Sequence, residues 1–92
     1  MTGILTIDLE LPGVGSLKEK RRIIKSLMTR LRNDFNISIA EVANNELLQR
    51  ATLGAAVVSN ENSYCHQVMA KVVNKIEASG VVNIIDYTTE SY

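Results

Sequence analysis

Residues 16–33, SLKEKRRIIKSLMTRLRN, are the stretch that most restricts how this chain can fold. Ser16 is a good helix N-cap, and Glu19 follows three residues later, which is the spacing of a capping box. Apolar residues then recur on one side at the spacing of a helix. They are Leu17, Ile24, Leu27, Met28 and Leu31. The stretch therefore predicts an amphipathic first helix.

The other side of this helix is strongly basic. Residues 16–33 hold seven of the ten basic residues and a single acid, whereas the rest of the chain holds three bases and nine acids. Positive charge in the first turns of a helix opposes the helix dipole and is slightly unfavourable. The presence of Lys18, Lys20, Arg21 and Arg22 there therefore indicates a functional role for these charges. Lys20 falls within the apolar sector, so we expect a buried stem and an amine that snorkels out near the helix start.

The remaining segments place this helix in a regular order of elements. The predicted strands are Ile4–Leu11, Phe35–Val42, Ala51–Val58 and Val82 to about Glu90, and a second helix runs from a cap at Ser59 or Asn60 to about Ser79. The order βαββαβ with right-handed crossovers predicts one α+β domain over residues 1–92, a ferredoxin-like sandwich. Its four-stranded antiparallel sheet carries both helices on one face and has strands one and three in the centre.

The second sheet face is predicted to be open and unusually apolar. Its expected residues are Ile4, Thr6, Asp8, Ala40, Thr52, Ala56 and Val58. Such a face is poorly suited to water over its full extent, so we expect a second subunit to cover part of it in a homo-oligomer, most simply a dimer. This gives an alternative function, a self-associating regulatory or protein-interaction domain.

Composition limits the compartment and the chemistry. One cysteine, Cys65, excludes an intrachain disulfide and a cysteine-rich metal site. Residues 1–3 lead directly into a strand without a signal-peptide pattern, and no apolar run approaches the length of a membrane span. We therefore expect a cytoplasmic protein with no cofactor, no metal and no membrane partner.

Several short motifs together resemble a known family. They are SLKEKRR at 16–22, RLR at 30–32, FNISIAEV at 35–42, QRATLG at 49–54 and VVSN at 57–60. In this order they are similar to the YlxP-like family of small bacterial proteins of unknown function, and the likeness spans essentially the whole chain. The resemblance implies a ferredoxin-like fold and a cytoplasmic protein whose genes tend to lie among those for translation initiation and ribosome maturation. Leu48 departs from the aromatic residue that the family often has before the Gln-Arg pair.

The basic helix suggests a nucleic-acid interface. Phosphate contacts from basic side chains give affinity without reading sequence. The candidate residues are Lys18, Lys20, Arg21, Arg22 and Lys25, with Arg50 extending the patch from the third strand. Ribosomal or other structured RNA is the expected partner of a non-enzymatic accessory protein. For the helix the alternative is an ordinary solvated face, and for Arg50 it is an ion pair with Glu41 or Glu46.

A weaker candidate precedes the helix. Gly13, Gly15 and Ser16 lie at the helix N-terminus, where free backbone amides can hold a phosphate or carboxylate, although an ordinary turn and cap is the simpler interpretation. Acylphosphatases share the βαββαβ order and bind phosphate in the first loop with an arginine, which gives small phosphate-ester or acyl phosphate hydrolysis as a remote alternative. Arg21 and Arg22, however, lie inside the predicted helix, so no catalytic residue is assigned.

Overall fold

The structure, a computed structural model, describes residues 1–92 and has the predicted βαββαβ order. The strands are β1 (Thr2–Glu10), β2 (Ser38–Ala43), β3 (Arg50–Val58) and β4 (Asn83–Ser91), and the helices are α1 (Leu17–Asp34) and α2 (Asn62–Ala78). All three strand pairs are antiparallel, in the order β2-β3-β1-β4, so β1 and β3 are central. The predicted ferredoxin-like topology is confirmed.

Alternation along the strands separates a covered sheet face from an open one. Leu5, Ile7 and Leu9 of β1 are fully buried, while the residues between them remain partly accessible. The helices supply the other side of this core from their predicted apolar stripes. Buried core residues of α1 and α2 are Ile24, Leu27, Leu31, Cys65, Val68, Met69, Val72, Val73 and Ile76. Burial of this aliphatic surface is the main force that holds both helices on one face of the sheet.

Several element boundaries differ from the prediction by one to three residues, and two of these differences involve helix caps. The second strand begins at Ser38 rather than Phe35, because α1 continues to Asp34 and Phe35 serves as its C-cap, donating its N–H to the Leu31 carbonyl at 2.9 Å. The second helix begins at Asn62 with Glu61 as its extended N-cap residue. The predicted cap at Ser59 or Asn60 is therefore wrong.

The start of α1 is held by local hydrogen bonds. Ser16 Oγ accepts the Glu19 N–H at 3.1 Å, which is one half of the predicted capping box. The preceding turn uses a positive φ of 75° at Gly13, a conformation that glycine adopts without strain. Gln49 then fastens this turn to β3, since its Nε2 donates to the Val14 carbonyl and its own carbonyl accepts the Leu11 N–H. Gln49, the first residue of the Gln-Arg pair, therefore has a structural role.

The open sheet face has two unlike halves. The half on β2 and β3 is apolar, and Val42 packs so closely over Gly54 that a Cβ there would lie 3.0 Å from Val42 Cγ1. The half on β1 and β4 is acidic, with Asp8 directly opposite Asp86. Thr52 is buried between the halves because its hydroxyl donates to Asp8 Oδ1 and accepts from Asn44 Nδ2. The predicted open face is therefore present, but its apolar part is confined to one side.

Candidate nucleic-acid interface

Helix α1 presents a group of exposed cations that we call the α1 basic surface. It consists of Lys18, Arg21, Arg22, Lys25 and Arg30, and all five are exposed. The structure contains two salt bridges, Lys20 with Glu41 and Lys75 with Asp34, so no member of this surface has a carboxylate oxygen within 4.0 Å. Their charge is therefore directed to solvent and is not neutralised by the protein's own acids.

A groove between the two helices extends this surface. One part, of about 280 Å³, is lined by Leu27 and Arg30 from α1, by Lys75 and Ala78 from α2, and by Ser79. A second part, of about 160 Å³, shares Arg30 and adds Arg22, Ile23, Ser26 and Val81. Sequence reasoning did not assign Arg30 or Lys75 to the site. The i, i+4, i+8 spacing of Arg22, Ser26 and Arg30 was the available indication, because such residues share one side of a helix.

Lys20 does not belong to the α1 basic surface, contrary to the sequence prediction. Its side chain is only 1% exposed, and its amine lies inside the protein instead of snorkelling to solvent. Lys20 Nζ donates to the carbonyls of Asn44 at 2.7 Å and Asn45 at 3.2 Å, and it lies 2.9 Å from Glu41 Oε2, which has no other partner. The amine is therefore unavailable to a phosphate and instead ties α1 to the loop between β2 and β3.

Arg50 and Arg32 are exposed but lie outside the α1 basic surface. Arg50 is exposed and lies directly opposite Glu10 in the ladder between β1 and β3, so its side chain is on the open sheet face, away from the helices. It therefore does not extend the α1 basic surface, contrary to the prediction. The alternative, an ion pair of Arg50 with Glu41 or Glu46, is also wrong, because Glu41 binds Lys20 and Arg50 takes part in neither of the two salt bridges. Arg32 donates to the Ile39 carbonyl at 2.7 Å, on the outer edge of β2.

The other candidate groups have local roles in the fold. Ser16 uses its hydroxyl to cap α1, which agrees with an ordinary turn and cap, and anion binding at Gly13, Gly15 and Ser16 stays a prediction. Cys65 is fully buried on α2, whereas the neighbouring His66 is exposed and its Nε2 lies 3.3 Å from Ser91 Oγ, so these two side chains do not form a cysteine–histidine nucleophile pair. No group of three or more histidine, cysteine, aspartate or glutamate side chains is placed to hold a metal ion.

One titrating group is perturbed by its neighbour. The Tyr92 hydroxyl donates a hydrogen bond to Glu90, and this bond, together with the negative charge of the Glu90 carboxylate, raises the pKa of Tyr92 above its ordinary value. Both residues lie at the exposed end of β4, away from the α1 basic surface.

Neither helix has the length and apolar character that a membrane crossing requires.

Comparison with solved structures first defines the class of fold. A de novo designed protein with ferredoxin fold superimposes over the whole chain and 87% of its own length, with a TM-score of 0.65 at 11% identity. A second de novo design, Foldit4, covers the whole chain and 99% of its own, with a TM-score of 0.62 at 9% identity. At this level of identity the similarity shows the ferredoxin-like fold alone.

Comparison of sequences then identifies the family. The chain belongs to the family described as "Protein of unknown function (DUF503)", whose model matches residues 2–89. It is 33% identical over 78 residues to the uncharacterized protein YlxP of Bacillus subtilis (strain 168), and the match covers 85% of each chain. The resemblance to the YlxP-like family is thereby confirmed.

Proposed function

We propose that this protein is a non-enzymatic accessory protein that binds structured RNA, such as ribosomal RNA, through the α1 basic surface. One observation carries the proposal: five exposed cations lie on a single helix, and none has a carboxylate partner within 4.0 Å. In a chain of zero net charge, a solvated helix would more simply intersperse its acids among its bases. The separation of charge instead favours a polyanionic ligand on this side of the domain.

The mode of binding follows from the residues that surround the cations. Lys18 and Lys25 are seven residues apart, or about 10 Å along the helix axis, so α1 can follow successive phosphates. The central strands β1 and β3 contain no aromatic residue, which argues against base stacking on the sheet. Recognition would then depend on backbone phosphates and on the shape of a folded RNA, without reading of base sequence.

Salt dependence provides the first test. We expect the protein to co-sediment with ribosomal subunits, and in a titration with a structured ribosomal RNA fragment the affinity should fall steeply with salt. If four to five phosphates are neutralised, the plot of log K against log salt has a slope of about −4, since each duplex contact contributes about −0.9. Absence of binding at low salt, or a slope near zero, would contradict the proposal.

The apolar half of the open face supports the alternative, a self-associating interaction domain. Val42 is 58% exposed and Val58 is 72% exposed. A shallow depression of about 170 Å³ lies on this half, lined by Ile4, Ser38, Ile39, Ala40, Val42, Gly54, Ala55 and Ala56. Exposed apolar surface of this kind can bind a partner, and burying it would be favourable by about 25 cal/mol per Å².

A charged substitution tests the open face. If copies associate through it, Ala56→Glu should convert an oligomer to a monomer in sedimentation velocity, because the carboxylate would be buried against apolar side chains. Asn74→Glu, on the exposed side of α2, is the matched control and should leave the oligomeric state unchanged. If Ala56→Glu folds by circular dichroism and sediments like the original chain, the open face is not the interface.

A further inference from the structure

Strand β4 is an edge strand that the rest of the molecule leaves uncovered. It pairs with β1 alone, and every residue from Ile85 to Tyr92 is exposed. On the helix side a shallow groove of about 180 Å³ separates α2 from β4, lined by His66, Met69, Ala70, Val73, Tyr87 and Thr89. The backbone edge of β4 that faces away from β1 therefore has no neighbouring strand.

The outer side of β4 carries free hydrogen-bonding groups that can be assigned. Thr2 and Tyr92 exchange both backbone hydrogen bonds, at 2.9 and 2.8 Å, so Tyr92 directs its N–H and C=O toward β1. Antiparallel pairs alternate in this respect. The outward-directed groups are therefore those of Tyr87, Thr89 and Ser91. Accordingly, the Tyr87 N–H finds only its neighbour's carboxylate, Asp86 Oδ1, at 2.9 Å.

The usual protection of an edge strand is weak here. Natural edges are commonly blocked by lysine, proline, a bulge or a covering element, because free backbone groups invite another strand. Residues 83–91 contain neither lysine nor proline, and the bulge lies near the strand's start, between the partners of Asp8 and Leu9. Within the exposed part, Tyr87, Thr88 and Thr89 are residue types that favour strands.

We propose that β4 pairs antiparallel with β4 of a second copy of this chain across a two-fold axis at Thr89. The sheet then has eight strands, and both copies keep their helices on the same side. Tyr87 of each copy lies opposite Ser91 of the other, and Thr89 lies opposite itself. These three residue pairs use all the assigned outward groups and form six N–H···O=C bonds.

The charge distribution of β4 and its bulge favour this register, and they favour a second copy of the chain as the partner strand. An axis at Thr88 would place Asp86 opposite Glu90 twice, and like charges directly opposite each other are unfavourable. An axis at Tyr87 would bring the bulged Ile85 into the ladder opposite Thr89. An axis at Thr89 instead places Asp86 opposite Tyr92, and Thr88 opposite Glu90. A second copy in this register therefore provides partners for the free backbone groups of β4 and places no two like charges directly opposite each other.

Substitution at Thr89 tests this dimer in the full-length chain. Thr89→Pro removes the two hydrogen bonds donated at the axis, yet no bond to β1, so the fold should persist. We expect its dimer dissociation constant in sedimentation equilibrium to rise at least tenfold over that of the unsubstituted chain, and circular dichroism to be unchanged. Thr89→Val keeps the N–H and the branched Cβ, so it is the matched control and should dimerise normally.

A cross-linking measurement makes the test independent of the proline variant's folding. Directly opposed residues of a hydrogen-bonded antiparallel pair have Cα atoms about 5.5 Å apart, which suits a disulfide. Thr89→Cys should therefore form a covalent dimer on mild oxidation, whereas Ser38→Cys, on the other edge strand, should not. A monomeric unsubstituted chain, an unaffected dimer in folded Thr89→Pro, or equal cross-linking at both positions would each overturn the proposal.

Discussion

Reversing the charges of Arg22 and Lys25 together is expected to abolish RNA binding at physiological salt while the fold survives. Both side chains are exposed on α1 without a carboxylate within 4.0 Å, so their loss breaks no internal ion pair. We take about 1 kcal/mol for each basic residue near the RNA phosphates, which is the value for a lysine or arginine near an anionic membrane surface. Two losses and two added repulsions amount to about 4 kcal/mol, which is roughly a thousandfold in affinity.

The measurement is a salt titration of the Arg22→Glu/Lys25→Glu protein with a structured RNA, followed by fluorescence anisotropy. In addition to weaker binding, the log–log salt slope should become shallower by about two contacts. Arg50→Glu is the matched control because Arg50 is also exposed but lies on the sheet face opposite the helices, so affinity should change by about twofold or less. Equal losses in both proteins would indicate a general charge effect and would count against the α1 basic surface.

Among the basic residues of α1, replacing Lys20 with methionine is expected to cause the largest loss of stability. The change leaves the Glu41 carboxylate, whose side chain is 16% exposed, without its partner, and it removes the hydrogen bonds that the Lys20 amine donates to the Asn44 and Asn45 carbonyls. Breaking one side of a buried ion pair costs about 3–5 kcal/mol, far more than an exposed pair is worth. For a domain of this size that lowers Tm by more than about 12 °C.

Thermal and urea unfolding of Lys20→Met and of Lys18→Met would separate burial from charge. Both changes remove one lysine from the first turns of α1, but Lys18 is exposed, so its substitution should change the free energy of unfolding by about 0.5 kcal/mol or less. Adding Glu41→Leu to Lys20→Met should restore only part of the loss, because the hydrogen bonds from the Lys20 amine to the Asn44 and Asn45 carbonyls are not replaced. If Lys20→Met and Lys18→Met had equal free energies of unfolding, the proposed stabilising contact of Lys20 with Glu41 and the β2–β3 loop would be contradicted.

The fold could be predicted from the sequence because its determinants are local. Two-residue alternation in β1 and the apolar stripe of α1 each require one covered side, and their order admits few right-handed arrangements. The start of β2 was predicted too early because Phe35 and Ile37 are apolar and alternate, although Phe35 caps the helix and Ile37 only packs against the core. Alternation alone does not distinguish a strand from such a linker.

The candidate site was harder to predict because it depends on contacts between elements. The helical angle correctly placed Lys20 in the apolar sector, but only the folded loop provides the Asn44 and Asn45 carbonyls that retain its amine. Arg50 required the pairing of β3 with β1 to show which sheet face it occupies. Lys75 lies on another helix and enters the groove only through helix packing.

The sheet order β2-β3-β1-β4 also has a consequence for how quickly the chain finds its native state. Only β2 and β3 are close in sequence, whereas β1 must meet residues about fifty positions away, as in the pairing of Thr2 with Val58. Closing such long segments costs entropy before any contact compensates for it, so folding of this topology is slow relative to helical bundles. The β2–β3 hairpin can form early, and its loop contains the Asn44 and Asn45 carbonyls that accept hydrogen bonds from Lys20. We expect α1 to dock onto that hairpin before β1 inserts between β3 and β4, because the contacts of Lys20 are the more local ones.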